Sequence, residues 1–465
     1  MSADFAPFAA KMRADGLPEA AVRSFEHAYR ELARGGRGML PERDVEPVEW
    51  VEGADDLGRC VPAGREALAR AVVVKLNGGL GTTMGMRRAK SLLPVKGGLS
   101  FLDVIAKQVL HLRRTHGCEV PLVLMDSFRT RDDSLAALAA HEGLAGDLPL
   151  DFLQHKVPRV RADDLAPVAW PADPELEWAP PGHGDLYLAL ETSGLLGRLL
   201  ERGFRYAFVS NADNLGAALD LGILGWVASE SVPFAMEVCE RTEAHKKGGH
   251  LARRRGGGLV LREIAQTPEA DLDAFQDVKR HRFFNTNNLW LDLERLAQVL
   301  RERGGILPLP MIRNEKTVDP ADAGSPKVIQ LETAMGAAIE VFPGARALRV
   351  GGERFAPVKT TSDLLAVRSD AYELTADWRV VPAPGRAGDL VVDLDPAYYK
   401  TVAQLDERFP AGAPSLRRCR RLRVRGDVHF GAGVTCLGEV DLRCDVPSPC
   451  RVAPGATLDG PTELT

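Results

Sequence analysis

Near the end of the chain an aliphatic residue recurs at every sixth position without a miss: Leu422, Val428, Val434, Val440, Val446, Val452 and Leu458. Gly426, Gly431, Gly433, Gly438, Gly455 and Gly460 lie between them. A period of six fits neither the 3.6 of a helix nor the 2 of a simple strand. It is the mark of a β-helix, in which one aliphatic per short strand points inward. The spacing predicts a left-handed β-helix of about two coils, with open strand edges at its ends that need a cap or a partner subunit. Nothing after residue 415 is a catalytic candidate, so deleting this segment is expected to alter assembly more than chemistry. Pro382, Pro384 and Gly385 mark a linker before it. Residues 381–465 are therefore assigned to linker and β-helix.

The preceding stretch, 51–380, has a different rhythm. Short apolar runs alternate with helical segments: "AVVVKL" (71–76) with a helix around Phe101–Arg114, "PLVLM" (121–125) with "RDDSLAALAAH" (131–141), and "RYAFVS" (205–210) with a helix around Leu215–Ala228. "PFAMEV" (233–238) and "TNNLWLDL" (286–293) continue the series. Such alternation predicts an α/β domain with a mostly parallel sheet, which binds ligands beyond the carboxyl ends of its strands. Residues 1–50 carry apolar positions at helical spacing (Phe5, Phe8, Met12, then Val22, Phe25, Leu32) and read as a helical hairpin packed on the core.

The 465 residues carry a net charge of −5, so there is no global basic footprint for nucleic acid. No apolar run reaches the length of a membrane span, and the N-terminus lacks the apolar core of a signal peptide. The 7 cysteines are odd in number and show no C-x-x-C spacing. Reduced thiols in a cytoplasmic protein are expected, rather than a disulfide framework or a zinc site.

The loop after the first strand, "LNGGLGTTMG", offers bare backbone: Gly78, Gly79, Gly81 and Gly85 permit a nest of free N–H groups that binds anions. Thr82 and Thr83 add hydroxyls, and Arg87, Arg88 and Lys90 bring positive charge. The natural ligand is a polyphosphate. The P-loop pattern is absent, because no glycine directly precedes Lys90, and the dinucleotide pattern fails at Met84.

"KLNGGLGTTMG" followed by "KS" resembles the UTP–glucose-1-phosphate uridylyltransferases, the UDP-glucose pyrophosphorylases of eukaryotic type. "PPGHGD" (180–185), "SNADNLG" (210–216), "KKGGHL" (246–251), "FFNTNNLW" (283–290), "VIQLETAMGAAI" (328–339) and "FAPVKTTSDLL" (355–365) resemble further blocks of that family in its order. The resemblance implies a Rossmann-like nucleotide-diphosphosugar transferase fold (GT-A-like). It also implies the reaction UTP + glucose 1-phosphate ⇌ UDP-glucose + pyrophosphate, by in-line attack on the α-phosphorus with Mg²⁺. Such chemistry asks for cations, a metal-holding carboxylate and a donor-rich loop rather than a strong base.

By resemblance, Lys90 and Lys359 are the catalytic lysines and Asp213 holds the Mg²⁺. Without it, Lys359 reads as a surface charge, and Asp213 and Asn214 as helix caps before Leu215. The resemblance assigns the uracil to Gln154 together with Leu76, Asn77, Gly78 and Gly79. Gly182 and His183 are implied at the uridine and substrate phosphate, with Asn211 beside the metal carboxylate. Gly249, Asn285 and Glu332, with Gly248 and Asn287, are implied on the sugar side. In a regular strand Asn285, Asn287 and Leu289 share one face. Lys96 reads as a solvated lysine. Two arginines, Arg87 and Arg88, stand where the eukaryotic relatives carry small or neutral residues. The acetylhexosamine enzymes carry an arginine where this chain has Thr83, which favours glucose. Another sugar 1-phosphate remains an alternative substrate, and a non-catalytic nucleotide-sugar sensor an alternative class. The remaining expected partners are the substrates and products themselves, and further copies of this chain through the β-helix.

Overall fold

The computed structural model describes residues 4–320, 322–386, 388 and 390–464. Residues 387 and 389 of the proline- and glycine-rich stretch lie outside the described residues.

The run AVVVKL forms β1, Ala71–Leu76, buried on both faces at the heart of the main sheet. The sheet continues through β2 (Leu122–Asp126), β3 (Asp151–Leu153), β4 (Tyr206–Asn211), β5 (Phe234–Glu240), β6 (Phe283–Asp292) and β7 (Arg346–Arg349). The spatial order is β7-β5-β6-β4-β1-β2-β3. β1 pairs in parallel with β4 and β2, and β2 with β3. β5 and β7 are also parallel to each other. β6 runs antiparallel to both its neighbours, so the sheet is mixed rather than uniformly parallel. One pairing sets up everything that follows. Leu76 sits opposite Asn211, so the carboxyl ends of β1 and β4 open side by side. The glycine-rich loop therefore starts next to the loop that carries Asp213.

Both faces of the sheet are covered. Leu102, Ile105 and Trp226 pack on one side, while Leu186, Leu196 and Leu296 pack on the other. The helix Phe101–His116 is fixed by a reciprocal cap between Ser100 and Asp103 and ends at Gly117, whose φ is 64°. The helix expected from Leu215 begins instead at Leu221, with Asp220 as its cap. Residues 212–219 are thus irregular backbone, and neither Asp213 nor Asn214 caps a helix.

The N-terminal hairpin, Ala6–Ala14 and Glu19–Ala33, buries Phe8, Phe25 and Tyr29 against Val157, Ile329 and Leu331. Beyond it the lead-in is not purely helical, because Val45–Pro47 adds a strand alongside Ala252–Arg254.

The C-terminal segment stacks parallel strands. β8 (Val391–Leu394), β9 (Cys419–Arg425), β11 (Thr435–Cys444) and β13 (Thr457–Leu464) form one sheet, β10 (Val428–Phe430) and β12 (Cys450–Val452) another. Leu422 faces Val440, 18 residues on, as three six-residue steps require. The register then slips: Val428 faces Cys450 and Phe430 faces Val452, each 22 residues on. Four extra residues loop out, and Val446, an inward position by spacing, is 39 % exposed. Cys444 and Cys450 bracket that loop and form a disulfide, which corrects the expectation of thiols throughout. The other five cysteines are free.

The coils are not an independent appendix. Their core is continuous with Met84 of the glycine-rich loop, with Phe101, and with Val358 beside Lys359. The packing thus ties this segment to the glycine-rich loop and to the stretch before Lys359. No helix among the described residues is long and apolar enough to cross a membrane.

Candidate active site

A cleft of about 320 Å³ opens at the carboxyl ends of β1, β2 and β4, lined by Leu76, Asn77, Gly78, Gly79, Lys90, Gln154, Gly182, His183, Asn211 and Asp213 among others. Ten of the residues named from the sequence thus converge on one cavity, although they come from segments up to 137 positions apart (Leu76 to Asp213).

The glycine-rich loop is held from within. Asn77 is 3 % exposed, and its side-chain amide donates to Asp126 Oδ1 (2.7 Å) and Ser134 Oγ (2.8 Å). Its role is to fix the turn, not to offer its side chain to a ligand. Burial pushes the Asp126 carboxyl up to about 6, against the hydrogen bonds from Asn77 and Thr130. At Gly78 a Cβ would stand 2.8 Å from Gln154 Nε2, so glycine lets the Gln154 amide lie directly on the loop. The Gln154 side-chain amide makes no hydrogen bond to a described residue and is free to pair with a ligand that offers both a donor and an acceptor.

Lys90 is tied to the loop through its backbone, whose N–H donates to the Gly79 carbonyl at 3.0 Å. Its ammonium meets Asp213 Oδ2 at 2.5 Å, with both side chains mostly buried. Arg87 and Arg88 are exposed and do not line the cleft; Arg88 lies 3.9 Å from Asp133. The positive charge that lines the cleft is therefore that of Lys90. Lys96 is not solvated as expected: its ammonium donates to the Val367 and Ser369 carbonyls at a helix end.

Gly182 has φ 81°, and a Cβ there would stand 2.4 Å from the Thr333 carbonyl. His183 Nδ1 accepts from the Met335 N–H at 3.0 Å, which leaves Nε2 for the cleft. Burial pulls this imidazole down to about 4, so it is neutral near pH 7. Glu332, which ends the strand Lys327–Glu332 just before those anchors, lines a separate cavity of about 60 Å³ with Asp185 and Tyr187, not the cleft.

Lys359 reaches the site by its backbone. The Val358 N–H donates to the Asp213 carbonyl at 3.2 Å, which sets Lys359 next to the loop that carries Asp213. The Lys359 side chain is exposed and outside the cleft lining. Its charge is felt by Glu263, a carboxyl that burial pushes up to about 7 while Lys359 opposes the shift. A Cβ on Gly249 would stand 2.5 Å from Glu263 Oε1, and the Asn285 N–H donates to the Gly249 carbonyl at 3.0 Å. Gly249, Asn285 and Glu263 thus form a second group beyond Lys359. Asn287 has φ 58°, and the pairing of β5 with β6 shifts register there. The kink lets Asn285 Nδ2 donate to Asn287 Oδ1 at 2.8 Å, so the strand alternation expected for these asparagines is broken. Glu263 was not legible in advance. Its local sequence, "LREIAQT", carries no spacing that distinguishes it from a surface acid.

Asp213 suits a hard cation. It is a single carboxylate facing the cleft, already paired with a positive charge, and Mg²⁺ is commonly held by one or two carboxylates plus substrate oxygens. Among the described residues no cluster of three or more His, Cys, Asp or Glu could form a self-sufficient metal cage. Metal held here would need the substrate as co-ligand.

Known proteins place this cleft in context. The family model described as UTP–glucose-1-phosphate uridylyltransferase matches residues 22–437. A potato protein of that name is 40 % identical over 86 % of this chain and 83 % of its own length. A barley one is 37 % identical over 98 % and 97 %. Among solved structures, a UDP-glucose pyrophosphorylase mutant from Leishmania major in complex with UDP-glucose superimposes with TM-score 0.92 at 44 % identity, covering 100 % of both chains. The similarity spans the sheet, the cleft and the coils alike, and the chain belongs to the UTP–glucose-1-phosphate uridylyltransferase family.

Proposed function

We propose that the cleft carries out uridylyl transfer from UTP to glucose 1-phosphate, with release of pyrophosphate. The observation that carries this reading is that two features line one cavity. A free Gln154 amide lies against Gly78 of the glycine-rich loop, and the Lys90–Asp213 ion pair lines the same cleft. The first suits the uracil edge and the second a triphosphate with its metal. Mg²⁺ bound at Asp213 would supply a counter-charge to the phosphate oxygens. Lys90 stabilises negative charge on the leaving pyrophosphate, and Lys359 steadies the incoming sugar phosphate. No general base is required, because the phosphate nucleophile is already an anion, and a neutral His183 fits a hydrogen-bonding rather than a proton-transfer role. Gly249, Asn285 and Glu263 supply donors and acceptors of the kind hexose hydroxyls take.

We further read the stacked coils as a left-handed β-helix, supported by the six-residue spacing, and the cytoplasm as the compartment, supported by the five free thiols. β13 pairs with β11 on one side, and no described strand covers its other edge. That edge supports association of copies, which light scattering tests. The test of function is pyrophosphate release from UTP and Mg²⁺ with a panel of sugar 1-phosphates. Preference for glucose 1-phosphate supports the reading. Equal use of N-acetylglucosamine or galactose 1-phosphate would broaden it, and no release with any of them would sink it.

A further inference from the structure

Lys75 is the one charged residue in β1, and it is 1 % exposed. It points away from the cleft, into a cavity of about 430 Å³ behind the sheet, between the helices Phe101–His116 and Leu221–Ser229. A lysine in a strand interior is expensive to desolvate, and an aliphatic would fill the position at no such cost. Its bonds indicate what it does there. The ammonium donates to Ser210 Oγ at 2.6 Å and to the Ala217 carbonyl at 2.7 Å. Ser210 is its partner across the β1–β4 ladder, and Ala217 lies in the irregular loop that follows β4. Asn211 and Asp213 lie between those two anchors.

A second tie supports the same loop. Arg354 is paired with the fully buried Glu237 (2.7 Å), and its Nη2 donates to the Ala218 carbonyl at 3.1 Å. Its own carbonyl accepts from Asn214 Nδ2 at 3.0 Å. Asn214 Oδ1 accepts in turn from the Ala356 N–H at 2.9 Å, on the way to Lys359. Burial and the Arg354 charge lower the Lys75 ammonium to about 7, with Glu237 opposing.

We propose that Lys75 is a positioning residue of the transfer reaction, which from behind the sheet clamps the strand ending in the nucleotide loop to the loop that presents Asp213. The inference rests on the reading of Asp213 as the metal carboxylate.

The test is a double-mutant cycle. Lys75→Met keeps the stem and removes the donor, and Ser210→Ala removes one acceptor should Lys75→Met fail to fold. Each is combined with Asp213→Asn, and kcat and KM for UTP are measured at saturating Mg²⁺ alongside urea unfolding midpoints. The expected result is a roughly tenfold fall in kcat for Lys75→Met, a smaller one for Ser210→Ala, and a UTP KM within about threefold of wild type. In the Asp213→Asn background the same changes should cost little more, because the clamped group is already gone. Full additivity with Asp213→Asn, or a loss confined to KM or to unfolding, would overturn the inference while leaving the site intact. If Asp213→Asn alone leaves kcat unchanged, the site reading fails instead and takes the inference with it.

Discussion

Lys90 and Asp213 serve as each other's counter-ion in the cleft, so the cation proposed for the triphosphate is also the group that the proposed Mg²⁺ would displace from Asp213. This makes Lys90→Ala informative in two ways. Turnover should fall by roughly 10²-fold or more, because the lost charge acts on the transition state. The Mg²⁺ concentration needed for half-maximal rate should fall as well, since Asp213 no longer holds an ammonium. Initial rates of pyrophosphate release across a Mg²⁺ series read both numbers, and an increased metal requirement would contradict the competition. Lys359→Ala should lower turnover by a similar factor without that change in metal dependence, as its link to Asp213 runs through the backbone of Val358. Gln154→Ala belongs to a different class. Its amide has no structural partner to lose, so UTP KM should rise about tenfold with kcat nearly kept. A selective loss of kcat would remove Gln154 from the base pocket.

At the level of elements, the glycine-rich loop is braced by the distant coils. Gly85 has φ 76°, and a Cβ there would stand 2.9 Å from Thr401 Cγ2, just before the helix Val402–Arg408. Gly85→Ala should therefore cost about 1 kcal/mol or more from the left-handed backbone and the clash. The strain falls on the glycine-rich loop proposed to hold the nucleotide, so UTP KM should rise along with the drop in thermal midpoint; a drop without any change in KM would mean the brace does not reach the site. This contact was invisible in the sequence, where residues 85 and 401 share no pattern. What was legible followed from short-range physics. β1 is where an apolar run meets glycine, and the helix Phe101–His116 follows its periodicity and caps. The helix expected from Leu215 starts late because Asn214 spends its side chain on Arg354 and Gly216 rather than on a cap. The six-residue period failed after Val440 because aliphatic spacing records inward residues but not an outward loop of four. The cleft residues were legible through their resemblance to a family. Glu263 and Lys75 were not, because a buried carboxyl and a buried ammonium look, in one dimension, like any surface charge.

For the molecule as a whole, the junction between the N-terminal segment and the sheet concentrates buried charge. Arg262, fully buried, donates from Nε to the Leu40 carbonyl at 2.9 Å and from Nη1 to Glu42 at 2.5 Å. Beside it the rings of His250 and His281 stack at 4.1 Å. Both imidazoles are fully buried. Burial, the neighbouring His281, Arg241 and Arg262 hold His250 well below its ordinary range. In the unfolded chain this histidine takes up a proton near pH 6.5, and in the folded chain it does not. The unfolded state therefore binds more protons below that pH, and stability is lost as pH falls from about 6.5. Each such histidine contributes a slope approaching about 1.4 kcal/mol per pH unit once the unfolded form is protonated. Urea midpoints measured from pH 7.5 to 5 should decline, and His250→Phe, which keeps the ring contact with Phe275 and cannot be protonated, should decline less steeply. Parallel curves for the two proteins would mean that His250 is protonated alike in both states, and that the decline comes from other groups such as His281, which burial also holds below its ordinary value.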